Sequence, residues 1–446
     1  MQSAETDRMH KRYASYHWHI LSTLAQRHCA APTFQAQCAL VQAFDSALDL
    51  LEREPSFQQL TVAGGSAVLE DYLRLRPEHF ERLETAVQRG ALHINPFYAL
   101  PEPSLHTPEG LVRNLLRGTA CADVFGGAMP VALFLEAEML PAWLPQVLRG
   151  FKLSAVLAHT PSAQPLEQLW QGDDGTRVPL AYVYSLSDHN ALDAARDALA
   201  PRCQSGHFLV PCRWTPLSAE SWRAWLSDFA RRHKMDIVLH SAPEAYVRAA
   251  QLSNTAEVAH GALMFAEQPR RELAEVIAQL EQFIATAFEP LIVLAALQDQ
   301  PVLPSQPQRL IEQLWQPLFA CESAAPEDLE HHAQAVRRQA AQFAQDIGVC
   351  LETFSIDRIV RTDCALFAIS ACKLPADPSR SGIVVRGRLN AAQSAWLTLQ
   401  PMQPFACCEV VSLAEVPSGG SLAAEPDGTF RFRAEPQHFY TFWLHN

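Results

Sequence analysis

Leu60-Thr61-Val62-Ala63-Gly64-Gly65-Ser66-Ala67-Val68-Leu69-Glu70-Asp71-Tyr72-Leu73-Arg74-Leu75 is an apolar run of strand length, a glycine turn and an amphipathic helix pattern. A buried strand handed straight to a helix is the repeating half of a parallel sheet with helices outside. The pattern extends in both directions. Upstream, Leu40, Val41, Phe44, Leu48 and Leu51 fall at helical spacing between Ala36 and Glu54. Downstream come a second helix pattern from Glu78 to Arg89 and the strand Ala91-Leu92-His93-Ile94-Asn95. Val131 to Leu135, Ser154 to Ala158, Phe208 to Val210 and Ile237 to Leu239 then supply further apolar runs. The expectation is an α/β protein whose first unit, residues 10–265, is a parallel β/α barrel. In such folds the residues just past the strand C-termini build the site. Gly64-Gly65-Ser66 ahead of a helix is either an anion cradle or a plain strand-to-helix turn, and the turn is the simpler reading.

The pattern changes twice more. Residues 266–352 read as a three-helix bundle, with Leu273, Val276, Ile277, Leu280 and Phe283 on one stripe and Leu310, Ile311, Leu314 and Leu318 on another. Residues 353–446 alternate in strand fashion between Pro-Ser-Gly-Gly and Pro-Asp-Gly turns, and read as a small antiparallel β-sandwich.

Composition bounds the partners. The chain of 446 residues is 48% hydrophobic with a formal net charge of −13, which is ample for a buried core and gives no basic patch for nucleic acid. The longest apolar stretch, Pro290 to Leu297, is too short to cross a bilayer, so no membrane association is expected. The N-terminus has no apolar segment of the secretory kind, and the 11 cysteines are an odd number with no Cys-x-x-Cys. The reading is a reduced, cytoplasmic protein whose partner is a small carbohydrate or another protein, with homo-oligomer formation open.

Five strings carry a resemblance. They are Val68 to Glu78; Gly90 to Tyr98 followed by Leu100-Pro101-Glu102; Pro108 to Gly118, containing Glu109 and Arg113; Leu144-Pro145-Gln146-Val147-Leu148; and Trp170 to Val178. In this order they resemble the bacterial α-mannosidases of glycoside hydrolase family 38, in a shortened form. The resemblance implies retaining hydrolysis of α-mannosides with one divalent metal, usually zinc. A retaining glycosidase needs a carboxylate to attack the anomeric carbon and a second carboxyl to protonate the leaving oxygen.

Carried over position by position, the resemblance gives a degenerate site. The family's His-x-His-x-Asp motif is placed on Ser15 to His19, so His17 keeps a metal ligand and His19 replaces the Asp. Glu136 occupies the nucleophile position, one methylene longer than the family's Asp. Arg213 occupies the general-acid position, where a guanidinium cannot give up a proton; it can instead bind an anion or pair with Glu136. Glu102 and Trp214 are the candidate substrate-binding residues. If a metal is retained, His17, His19 and Glu136 would hold it; the metal can equally be absent. The bundle histidine has no counterpart in Cys321 to Ala325, and His331 and His332 read as surface residues. Three functions stay open: a catalytically impaired homologue that binds a sugar or partner, an active metal-dependent hydrolase with a remodelled site, and a structural subunit.

Overall fold

The computed structural model describes residues 15–24, 28, 32–159, 164–183, 192–213, 218–232, 234–266, 270–303, 306–319 and 326–446. Its first half contains the strands His17–Leu24 (β1), Leu60–Val62 (β2), Leu92–Ile94 (β3), Val131–Phe134 (β4), Met139–Leu140 (β5), Ala155–His159 (β6), Glu167–Gln171 (β7), Arg177–Val183 (β8), His207–Arg213 (β9), Ile237–His240 (β10), Val258–His260 (β11) and Leu263–Met264 (β12). The strands do not form one uniform parallel sheet. One sheet runs β10-β1-β2-β3 with β9 also on β1, all parallel; the second runs β11-β7-β8-β6-β4, parallel except where β7 meets β8.

Asn95 joins the sheets where β3 meets β4. Its amide donates to the Ala63 and Leu133 carbonyls at 2.9 and 3.1 Å and accepts from Leu133 N–H at 3.2 Å. Its side chain bridges the strands where no backbone ladder joins them. Strands from both sheets enclose one interior cluster that includes Leu21, Leu133, Leu157, Ala181 and Leu209. Tyr246, on the helix Pro243–Ala249, belongs to the same cluster.

The opening helix pattern is realised as Ala67–Leu75, entered through Gly65 at φ +91°. A side chain there would press on the Tyr98 and Phe97 carbonyls. Ser66 and Ala67 N–H groups donate to those same carbonyls at 2.9 and 2.8 Å, so the turn binds its own chain and its first donors do not cradle an anion.

After β12 come three long helices. The first joins Arg271–Phe283, a π-turn at Ile284–Phe288 and Glu289–Leu297 into 27 residues; Pro307–Phe319 and Pro326–Asp346 follow. By length and composition alone the first helix is able to cross a membrane, but 61% of its most apolar stretch is buried inside the protein. Within it, Glu281 accepts from His106, Thr107 N–H and the Thr107 hydroxyl, all at 2.7 Å.

The last part holds Val360–Thr362 (β13), Phe367–Lys373 (β14), Ile383–Leu389 (β15), Ala395–Pro401 (β16), Cys407–Val411 (β17), Pro417–Leu422 (β18), Phe430–Ala434 (β19) and Phe439–His445 (β20). They form two antiparallel sheets, β13-β16-β19 and β14-β15-β20-β17-β18, around a core that includes Leu397, Leu399, Phe430 and Phe442. A buried ion lattice ties this part to the rest. Arg386 donates to both oxygens of Glu109 at 2.7 Å, Arg113 bonds Glu109 at 2.6 Å and Glu289 at 2.7 Å, and Trp315 donates to Glu289 at 2.6 Å. The pair Glu109 and Arg113, four apart on the helix Pro108–Asp123, is thus more than an intrahelical contact.

Candidate functional site

The parallel strands fix which end of the enclosure is which. β4 ends at Phe134, so Leu135 and Glu136 stand just past its C-terminus; β9 ends on Arg213, level with Thr23 near the end of β1. Glu136 and Arg213 meet there in an ion pair, the carboxylate about one-third exposed and the guanidinium about half exposed. The loop carrying Glu136 is anchored from below. Glu102 accepts from Glu138 N–H at 2.6 Å and Met139 N–H at 3.3 Å, and from Ser104 N–H and hydroxyl at 3.2 and 2.7 Å. It is buried, and burial pushes its carboxyl above the usual range although these donors pull it back. Its oxygens are therefore spent on the protein, and Glu102 positions the Glu136 loop in place of the expected contact with substrate. Trp214 lies outside the described residues.

His17 and His19 are at the other end. β1 begins at His17 and runs to Leu24, so the apolar Ile20-Leu21 and the hydroxyls Ser22-Thr23 continue the strand that had been expected to finish at His19. From His17 to Thr23, the level of Arg213, is six residues of strand, roughly 20 Å. His19 is buried, bonded to Ser241 Oγ and to His207, each at 2.8 Å, and packed edge-on against Tyr246. His17 stacks face to face on His207, rings 4.7 Å apart and 18° from parallel. Both ring nitrogens of His19 are taken, by Ser241 and His207, and Glu136 stands past the opposite end of the strands, so no Glu136 oxygen is within reach. The residues do not fit the expected shared metal. Among the described residues, no group of three or more histidines, cysteines and acids is placed to hold an ion.

One pair near the C-terminal side was not found from the sequence. His28, beyond β1, bonds Asp71 at 2.6 Å, and both are mostly buried. Nothing in the run around His28 marks it, because its partner is 43 residues away. His331 is exposed and the His332 ring bonds the Leu314 carbonyl at 3.2 Å; the segment 320–325 lies outside the described residues.

A parallel-strand α/β enclosure carrying an acid just past a strand end, followed by long helices and an antiparallel β part, is an architecture found among solved proteins. The chain has the fold of the family 38 α-mannosidases. It matches an α-mannosidase from Enterococcus faecalis V583 with a TM-score of 0.63 and 17% identity, over 96% of this chain and 56% of that one. It matches a family 38 glycosyl hydrolase from Enterococcus faecalis with a TM-score of 0.55 and 17% identity, over 97% and 54%. In sequence it is 29% identical over 155 residues to a Halalkalibacterium halodurans protein named "Putative mannosylglycerate hydrolase", covering 31% of this chain and 17% of that protein. The chain thus spans about half the length of the solved structures and a smaller share of the curated relative. No known family's sequence profile matches it.

Proposed function

We propose that this chain is a family 38 glycoside hydrolase homologue of carbohydrate metabolism, cytoplasmic, in which retaining hydrolysis has been lost and binding of a small carbohydrate remains. The observation that carries the reading is the Glu136–Arg213 ion pair at the ends of β4 and β9. The attacking carboxylate of a retaining enzyme must be free to reach the anomeric carbon, with a proton donor across the bond. Here the guanidinium occupies the donor's position and holds the carboxylate. It has no proton to give at neutral pH, and its positive charge opposes an oxocarbenium-like transition state. Both groups remain partly in water, where they offer a donor set and an acceptor set to sugar hydroxyls. The residues proposed for the metal support no step through it.

The test is hydrolysis of an aryl α-mannoside at neutral pH with and without added zinc or cobalt. An activated leaving group needs little help from an acid, so the assay favours activity. We expect none above background; loss of a positioned acid alone costs roughly 10²–10⁴-fold. Turnover above about 1 s⁻¹ would overturn the reading. Glu136→Gln and Arg213→Ala would then show whether Glu136 attacks.

A further inference from the structure

The sheet β13-β16-β19 has one face in the core and one in water. Alternation sends Leu397, Leu399, Phe430 and Phe432 inward. The ladder places Arg361 opposite Gln400, Thr398 opposite Arg431 and Trp396 opposite Arg433, so these six side chains share the outer face. Trp396 is 61% exposed, with the Arg431 guanidinium 5.1 Å from its ring centroid. Among the described residues neither Arg431 nor Arg361 has an acidic partner; Arg361 donates to the Met402 sulfur at 3.2 Å. Arg433 reaches Glu435 at 3.4 Å and Ser394 Oγ at 2.9 Å, with both ion-pair partners largely in water.

Three arginines on the face that carries an exposed indole are out of keeping with a chain of net charge −13. We propose that this face binds an acidic oligosaccharide. One sugar ring lies by its C–H face on the open side of Trp396, carboxylates take the forked donors of Arg361, Arg431 and Arg433, and hydroxyls meet Thr398 and Gln400. From strand spacing and rise the platform measures roughly 10 Å by 14 Å, the footprint of a short oligosaccharide. Single-stranded nucleic acid fits less well, because one indole gives no succession of stacked bases. The proposal is independent of the Glu136 site.

The experiment is calorimetric titration of the full chain with tri-galacturonic acid, mannotriose and a thymidine oligonucleotide. The acidic trisaccharide is expected to bind at least about tenfold more tightly than the other two, with affinity falling as salt rises. Trp396→Ala and Arg431→Ala should each weaken it by about tenfold or more at an unchanged thermal midpoint, because both side chains are in water. No binding of the acid, equal binding of mannotriose, tighter binding of the oligonucleotide, or an effect of Trp396→Ala below twofold would each overturn the proposal.

Discussion

Two of the molecule's sets of arginine–carboxylate contacts differ in almost everything but chemistry. Glu109, Arg113, Glu289 and Arg386 are buried where the N-terminal part, the helices and the C-terminal sheets meet. Glu136 and Arg213 stand at the strand ends, partly in water. Burial alone pushes the Glu109 carboxyl up, yet Arg386 and Arg113 hold it down at about 2. Such a group is a fixed anion, committed to the cations around it. The exposed pair costs little to form and little to break. A buried charge is expensive to strand without its partner, while an exposed pair is worth little to stability. One set serves the architecture; the other is free to serve a ligand.

The sharpest way to break this contrast is Arg386→Ala. It leaves Glu109 buried with Arg113 alone and removes the link from Glu109 to the C-terminal sheets. A loss of about 3–5 kcal/mol is expected in urea unfolding. A loss under about 1 kcal/mol would mean that the lattice is not what joins these parts.

Acid should act on a third region. Burial, with His207 and His17 adding to it, lowers His19 to about 4, and burial lowers His240 to about 4. Both therefore stay neutral in the folded chain while the unfolded chain takes up protons near the ordinary value of 6.5. Stability is then full above about pH 6.5 and falls as pH drops toward 4, by up to about 3 kcal/mol per histidine. His19→Asn should flatten part of that slope. A stability profile level from pH 7 to 4.5 would contradict the burial of both rings.

Much of this was legible beforehand for a physical reason. The helix Ala67–Leu75 was read correctly because a glycine turn and apolar spacing are local signals. Glu136 fell just past a strand end because the apolar run Val131 to Leu135 ahead of it is a local signal too. Arg213 as its ion partner was one of two options read from charge alone. The failure was at β1. His17-Trp18-His19 looked like a strand end because two histidines stand where ligands were sought, yet the strand continues through Ser22 and Thr23, whose buried hydroxyls bond His240 and the Cys212 carbonyl. Polar residues inside a strand are satisfied by neighbours that sequence does not reveal. The same holds for Glu102, two of whose donors lie 36 and 37 residues on, and for Arg386, 277 residues from Glu109.

The smallest effect completes the contrast. Arg213→Ala and Glu136→Gln each remove one side of a pair whose side chains are about half and one-third exposed. Neither leaves a charge stranded in an apolar interior, because water reaches both. Each single change should alter stability by no more than about 1 kcal/mol, and the coupling from the double-mutant cycle should be about 0.2–1 kcal/mol, shrinking as salt rises. Glu102 anchors the loop through backbone N–H groups and not through the Glu136 carboxylate, so the loop keeps its position in both variants. Coupling of several kcal/mol, insensitive to salt, would place this pair with the buried lattice and assign it to holding the fold. The proposal that the site is kept for binding would then lose its main support.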